Sequence, residues 1–189
     1  MKLQMLISAV EQNSGELPEK MNLRTPAVIV DQCDRYAYEE HMRGENRIQC
    51  FCMPERGVGL SRNTALLHAD ADVCIFSDED IVYADDYAEK IRKAYEELPE
   101  ADLILFNVKV SPARKTYWNE DIHRVTYRNY GRYPAYSITG KLDAFRRANV
   151  SYSLLFGGGA KYSNGEDSLF LRDCLRAGLR IYTHTDCIG

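Results

Sequence analysis

Short apolar runs alternate with helix-period segments along this chain, and no other feature narrows its fold so far. Ala27–Val30 (AVIV), Val73–Ser77 (VCIFS) and Leu103–Val110 (LILFNVKV) are strand-like runs bounded by polar sequence. Runs of that kind suit strands covered on both faces. Leu3–Val10 is apolar and strand-like, and Arg47–Met53 alternates Ile48, Cys50 and Cys52 with Arg47 and Gln49. Pro18–Leu23 is a candidate short helix, and Ser61–Ala69 reads as a helix with Ser61 as its N-cap. Ala84–Leu98 places Tyr87, Ile91, Ala94, Tyr95 and Leu98 at helical spacing and stops at Pro99. Lys141–Ala148 and Asp167–Ala177 are also helix-like; Gly178 closes the second, and Arg180–Thr183 reads as a last strand. Strands interleaved with helices imply βαβ units and a mostly parallel sheet, an α/β fold. Such sheets bind ligands at the carboxyl ends of their strands.

A length of 189 residues suits one domain. No apolar run exceeds four residues, whereas a membrane-spanning helix needs about 20. Met1–Val10 leads straight into polar sequence, unlike a secretory leader. The six cysteines (Cys33, Cys50, Cys52, Cys74, Cys174 and Cys187) form no C-x-x-C pair and no zinc-spaced cluster with His. All six are expected to be reduced, and the location cytoplasmic.

The net charge of −4 conceals a division along the chain. Asp70–Asp102 carries twelve acids against three bases, a net of −9, and Ser111–Tyr152 carries eight bases against three acids, a net of +5.

Four places at expected strand ends carry chemistry. Phe76-Ser77-Asp78-Glu79-Asp80-Ile81 sets three acids after a strand. Asp78 and Asp80 can offer oxygens to a hard cation such as Mg²⁺ or Mn²⁺, which would also neutralise a diphosphate. They can equally form an acidic turn that caps the Ala84 helix. Asp31, with Asp34 three residues on, can accept from a ribose hydroxyl or a base N–H, or be a plain loop acid. Glu55–Asn63 (ERGVGLSRN) sets Arg62 in the expected first turn of a helix, a position that favours an anion, although a solvated cation fits the same pattern. It lacks the Lys-Ser/Thr ending of a Walker loop and the G-x-G-x-x-G of a dinucleotide site. Finally, Gly157-Gly158-Gly159 precedes Asn164-Gly165-Glu166-Asp167, two acids at a helix start that can serve as caps or as a general base.

These four segments, in this order, resemble glycosyltransferase family 2, the inverting nucleotide-sugar transferases of GT-A fold. VIVDQCD (Val28–Asp34) is similar to the family's second-strand segment, and GVGLSRNTAL (Gly57–Leu66) to its Gly-x-x-x-x-Arg-Asn helix start. FSDEDI (Phe76–Ile81) matches its D-x-D, and GEDSLFLRDCLRAGLRI (Gly165–Ile181) its E-D helix and following strand. The resemblance implies a Rossmann-like GT-A sheet flanked by helices in a single domain over 1–189, with a nucleotide-sugar half at 1–110 and an acceptor half at 111–189. It implies that Asp31, Arg62, Asp78 and Asp80 bind the donor, that Asp80 with Asp78 holds Mn²⁺ or Mg²⁺, and that Asp167 is the general base, with Glu166 as second choice. The donor it implies is a nucleotide-diphosphate sugar, UDP by family frequency. Its acceptor would be a saccharide or lipid-linked saccharide in polysaccharide biosynthesis.

The resemblance is incomplete. Ala9-Val10-Glu11-Gln12-Asn13 replaces the Pro-x-Tyr-Asn type segment, and Gln-Cys-Asp follows Asp31 where Asp-Gly-Ser is usual. Many relatives continue beyond the equivalent of Gly189, so truncation there is one expectation, and peripheral membrane contact by later residues another. His184 in THTD is either a late metal ligand or, three times as readily, a lone surface side chain. Ser111–Tyr152 adds Tyr117, Trp118 and five further tyrosines to its positive charge. Aromatic faces and arginines suit sugars and phosphates, and Trp118 and Tyr117 are the candidate acceptor contacts. A half-buried antiparallel ribbon with core tyrosines fits as well. No RNA-binding signature is present, so no nucleic-acid partner is expected. A sugar-1-phosphate nucleotidyltransferase would need a Gly-rich basic loop after the first strand, which Ala9–Ser14 lacks. A catalytically inactive, nucleotide-binding relative of the same fold is the alternative function.

Overall fold

In a computed structural model that describes residues 1–115 and 117–189, the chain forms one eight-stranded sheet with helices on both faces. The elements in chain order are β1 (Leu3–Val10), α1 (Leu17–Lys20), β2 (Ala27–Gln32), β3 (Ala37–Arg43), β4 (Asn46–Met53), α2 (Val58–Leu67), β5 (Val73–Asp78), α3 (Tyr87–Glu97) and β6 (Leu103–Asn107). After a 3-10 turn at Ala135–Ser137 follow β7 (Ile138–Lys141), α4 (Leu142–Ala148), α5 (Glu166–Arg176) and β8 (Ile181–Cys187). The strand order is β3-β4-β2-β1-β5-β7-β6-β8.

The expected parallel sheet is present in β4, β2, β1 and β5, and β8 runs parallel to β6. Two strands were not expected. β3 folds back antiparallel on β4 through a turn at Gly44, and β7 lies antiparallel between β5 and β6. β3 alternates half-buried and exposed residues and carries three charges among its seven positions, as suits a sheet edge. The second half of the chain therefore supplies two strands to the same sheet.

β1 shows how the period-2 rule builds the core. Leu3, Met5, Ile7 and Ala9 pack on one face with Ile29, Ile75, Tyr87 and Ile91. Leu6 packs on the other with Val28, Phe76, Phe145 and Phe170. There Phe76 meets Phe170 edge-on at 5.6 Å, and Tyr152 stacks on Phe170 at 4.1 Å. Pairs of this kind contribute roughly 0.5–1.5 kcal/mol beyond their buried area.

Register carries the function-bearing residues to one rim. Asp31 pairs with Ala9 and Asp78 with Ser8, so both carboxylates stand at the carboxyl end, on opposite sides of β1. Two strand spacings put their backbones about 10 Å apart.

α2 starts earlier than a Ser61 cap would allow: its first residue is Val58, and Gly57 stands at the N-cap. Ser61 is therefore not a cap but an interior residue. Its buried hydroxyl donates to the Val30 carbonyl at 3.2 Å and accepts from Ser8 Oγ at 2.8 Å. α3 begins at Tyr87, beyond the 78–80 turn, and Asp86 is its N-cap residue, so the three acids do not cap that helix.

Candidate active site at the carboxyl rim

Arg62 organises the rim. It sits in the second turn of α2 rather than the expected first, and it is 3% exposed rather than solvated. Its guanidinium donates to Asp78 Oδ1 at 2.9 Å and to Asp167 Oδ1 at 2.8 Å, with Glu166 at 3.5 Å. It also lies over the Tyr152 ring, 5.1 Å from the centroid. Asn63, the next residue, accepts from the Tyr152 N–H at 2.7 Å and donates to the Tyr152 carbonyl at 2.9 Å. That pair of hydrogen bonds to one residue's backbone explains an Arg-Asn pair on this helix. Asn63 clamps the segment bearing Tyr152, and the ring then floors the guanidinium. Burial alone would weaken Arg62's hold on its proton; Asp167, Tyr152 and Asp78 more than offset it and push its affinity up.

Asp167 and Glu166 open α5, where the helix dipole favours acids. Gly165 stands before them with φ 109°, a backbone region suited to glycine. Asp167 accepts from Arg62 at one oxygen and from the Ala135 N–H at 2.9 Å at the other. Burial raises its pKa to about 6; Arg62 opposes this and the Glu166 charge adds to it. An open cleft of about 390 Å³ borders both acids, with Arg132, Tyr133 and Pro134 across it.

In the acidic turn, Asp80 pairs with Arg114, whose guanidinium also comes within 3.7 Å of Asp78 Oδ2. Glu79 turns the other way and accepts from the Val10 N–H at 2.8 Å; burial raises its pKa. Two arginines thus face four carboxylates: Asp78, Asp80, Glu166 and Asp167. The surplus of negative charge and the hard oxygen donors fit a divalent cation that keeps waters and phosphate oxygens in its shell. Asp80 is the more available ligand, because its side chain is 55% exposed and its partner Arg114 42%.

Asp31 is buried and accepts from the Gln12 N–H at 3.0 Å, so it ties down the unusual segment after β1. Asp34 is exposed. His184 is 5% exposed, not a surface side chain; its Nδ1 accepts from the Asp186 N–H at 3.2 Å, and its Nε2 lies 3.5 Å from Glu97. Its neighbours belong to β8, the end of α3 and β6, where its ring lies 5.4 Å from that of Phe106.

The aromatic segment is not a ribbon: β7 at its far end joins the main sheet, and before Pro134, among the described residues, the strand-like contact is a single bridge, Arg124 to Tyr182. Tyr133, Tyr136 and Tyr152 are core, whereas Tyr117 and Tyr127 are exposed. Tyr117 stands edge-on to Tyr133 at 5.5 Å beneath Arg132, and Lys115 lies over Trp118. The buried Asn119 pins this stretch, donating to the Leu105 carbonyl at 2.9 Å and exchanging amide bonds with Asn107. Sequence reading missed Arg114, Asn119 and Tyr152 as parts of the rim. A lone Arg, Asn or Tyr in aperiodic sequence carries no spacing signal.

The sequence model of the family described as Glycosyl transferase family 2 matches residues 22–152. No curated protein matches by sequence. Among solved structures, TarS of S. aureus in complex with UDP superposes with a TM-score of 0.70 at 16% identity, over 100% of this chain and 59% of that one. TarS 1–349 in complex with UDP-GlcNAc gives 0.69 at 17% identity, over 100% and 57%. The mannosyltransferase PcManGT from Pyrobaculum calidifontis, in complex with GDP-Man and Mn²⁺, gives 0.62 at 15% identity, over 99% and 56%. The chain thus spans less than two thirds of the length of each, and the shared arrangement is the GT-A fold.

Proposed function

Because the chain belongs to glycosyl transferase family 2, we propose that it is a metal-dependent inverting glycosyltransferase acting on a nucleotide-diphosphate sugar. The observation that carries this reading is Arg62, buried and bonded at once to Asp78 at the end of β5 and Asp167 at the start of α5. One side chain joins the donor end of the sheet to the candidate base. Asp78 and Asp80 are the residues that would hold Mn²⁺ or Mg²⁺, and the cation would neutralise the diphosphate charge. The neighbours in complex with UDP, UDP-GlcNAc and GDP-Man with Mn²⁺ support a donor of this class. A UDP-sugar is the donor proposed here.

Asp31 would face the nucleoside from the β2 end. Asp167 would take the proton of the acceptor hydroxyl as that oxygen attacks the anomeric carbon from the face opposite the leaving diphosphate. A base works best when its pKa lies near the working pH, and burial moves Asp167 in that direction. The cleft beside Asp167, with Arg132 on its wall, Tyr117 beneath that arginine and Trp118 next to Tyr117 in the chain, would take a saccharide or lipid-linked saccharide acceptor in polysaccharide synthesis. No helix among the described residues is long and apolar enough to cross a membrane.

Thermal unfolding with UDP, GDP and other nucleotides, with and without Mn²⁺, tests the donor site. One nucleotide should raise the stability by RT ln(1 + [L]/Kd), and the rise should need the metal. No shift with any nucleotide would instead favour a catalytically silent relative.

A further inference from the structure

The rim holds a second group of ligating atoms that the proposed transfer does not use as a group. Asp31, Cys33 and Cys52 present a carboxylate oxygen and two sulfurs that all lie within 4.8 Å of one another. The topology explains why. Asp31 and Cys52 are register partners across the parallel β2–β4 pair, and Cys33 follows Asp31 by two residues, its N–H bonded to the Met53 carbonyl at 3.0 Å. All three are buried, at 3%, 7% and 4% exposure. The turn beyond Cys33 (Asp34, Arg35 and Tyr36) is exposed, so the group lies just below the surface.

We propose that Asp31, Cys33 and Cys52 form a binding site for a thiophilic divalent cation of the Zn²⁺ class, separate from the Asp78–Asp80 turn. Two thiolates and one carboxylate are a soft, zinc-like donor set, whereas Mg²⁺ and Mn²⁺ prefer oxygen alone. With Zn–S near 2.3 Å, two sulfurs on a tetrahedral ion stand about 3.8 Å apart. Closing from at most 4.8 Å is a shift of about 1 Å, within reach of side-chain rotation. The fourth position would be open to water, or to the Arg35 carbonyl that lies 3.6 Å from Cys33 Sγ. The Arg35 guanidinium in the same turn is held by Glu39 at 3.1 Å. The cation displaces thiol protons, so its uptake should release protons and strengthen with rising pH. The bound ion would clip β2, β4 and the 33–36 turn together at the nucleoside end of the rim.

Cd²⁺ is the probe, because its bonds to thiolates give a charge-transfer absorption that oxygen ligands at the acidic turn do not. The reduced full chain should take up one equivalent with that band. Cys33→Ser and Cys52→Ser should each reduce or abolish it, and the double variant should lack it. Cys187→Ser should keep it. Zn²⁺ should raise the Tm of the wild type and not of Cys52→Ser. Asp31→Asn, which keeps both thiols and guards against a serine variant that fails to fold, should keep the band but bind more weakly. No band in the wild type, an undiminished band in the double variant, or unchanged affinity in Asp31→Asn would overturn the proposal. None of these readouts depends on sugar transfer or on nucleotide binding.

Discussion

At the scale of single residues, charge burial decides the site. Arg62 is the one cation within bonding distance of Asp78, Glu166 and Asp167 together among the described residues. Removing one partner of a buried charge pair strands the other, with a typical loss of about 3–5 kcal/mol. Arg62→Ala should lower stability by about that much in urea unfolding. A loss below about 1 kcal/mol would mean that water replaces the guanidinium. Asp167→Asn should reduce transfer by roughly 10²–10⁴-fold, the usual contribution of a general base, with nucleotide affinity kept; unimpaired transfer would place the base elsewhere. The same carboxyl sets two pH dependences. The wild-type rate should rise as pH increases through about 6, where Asp167 gives up its proton. Its folded pKa lies above the ordinary 3.8, so the folded state binds more protons between the two values, and stability should fall as pH rises from about 4 to 6. Asp167→Asn should flatten that part of the stability profile. Arg114 occupies Asp80, so Arg114→Ala should tighten Mn²⁺ binding to the nucleotide-free chain in calorimetric titration. Weaker binding would show that Arg114 supports the cation instead of competing with it.

At the scale of elements, the position of Arg62 depends on how closely α2 approaches the segment after α4. Gly59 makes that approach possible: a Cβ there would meet the Ser153 carbonyl oxygen at 2.3 Å. Gly59→Ala should therefore destabilise by about 1–3 kcal/mol, as overpacking does, and should also disturb the Asn63–Tyr152 clamp. A urea midpoint equal to wild type would show that the segment yields freely. The 117–119 stretch is held by Asn119 against β6 while its rings stay near the surface. Trp118→Ala should thus weaken acceptor use and leave donor binding intact, measured as separate KM values; equal loss of both would remove the acceptor role. Helix and strand positions in this chain were legible where apolar residues repeat with a period, as in β1, β5 and α3. Helix α2 was misplaced at its start because Gly57 offers no side-chain cap and Ser61 looks like one. Strand β7 escaped notice because its four residues, Ile-Thr-Gly-Lys, are too few to show a period.

At the scale of the whole molecule, one sheet carries both halves of the chain. β7 and β8, from the second half, flank β6 from the first, so the proposed donor and acceptor regions share one core. Metal-dependent stabilisation by a nucleotide should accordingly appear as one cooperative transition, and two separate melting steps would contradict a shared core. Alternating apolar runs determined the α/β class, and four ordered motifs determined the family, because periodicity and spacing are properties of neighbours along a chain. Which acids meet was not written there. Asp78 and Asp167 lie far apart in sequence, and only the packing of α2 beneath the start of α5 sets Arg62 between them. Likewise Asp31, Cys33 and Cys52 share no metal-binding spacing and come together through the register of β2 on β4. Burial, and with it the raised pKa of Asp167 and the cost of losing Arg62, exists only once the chain has closed over these groups, since the energy of a charge depends on the surroundings that tertiary structure supplies.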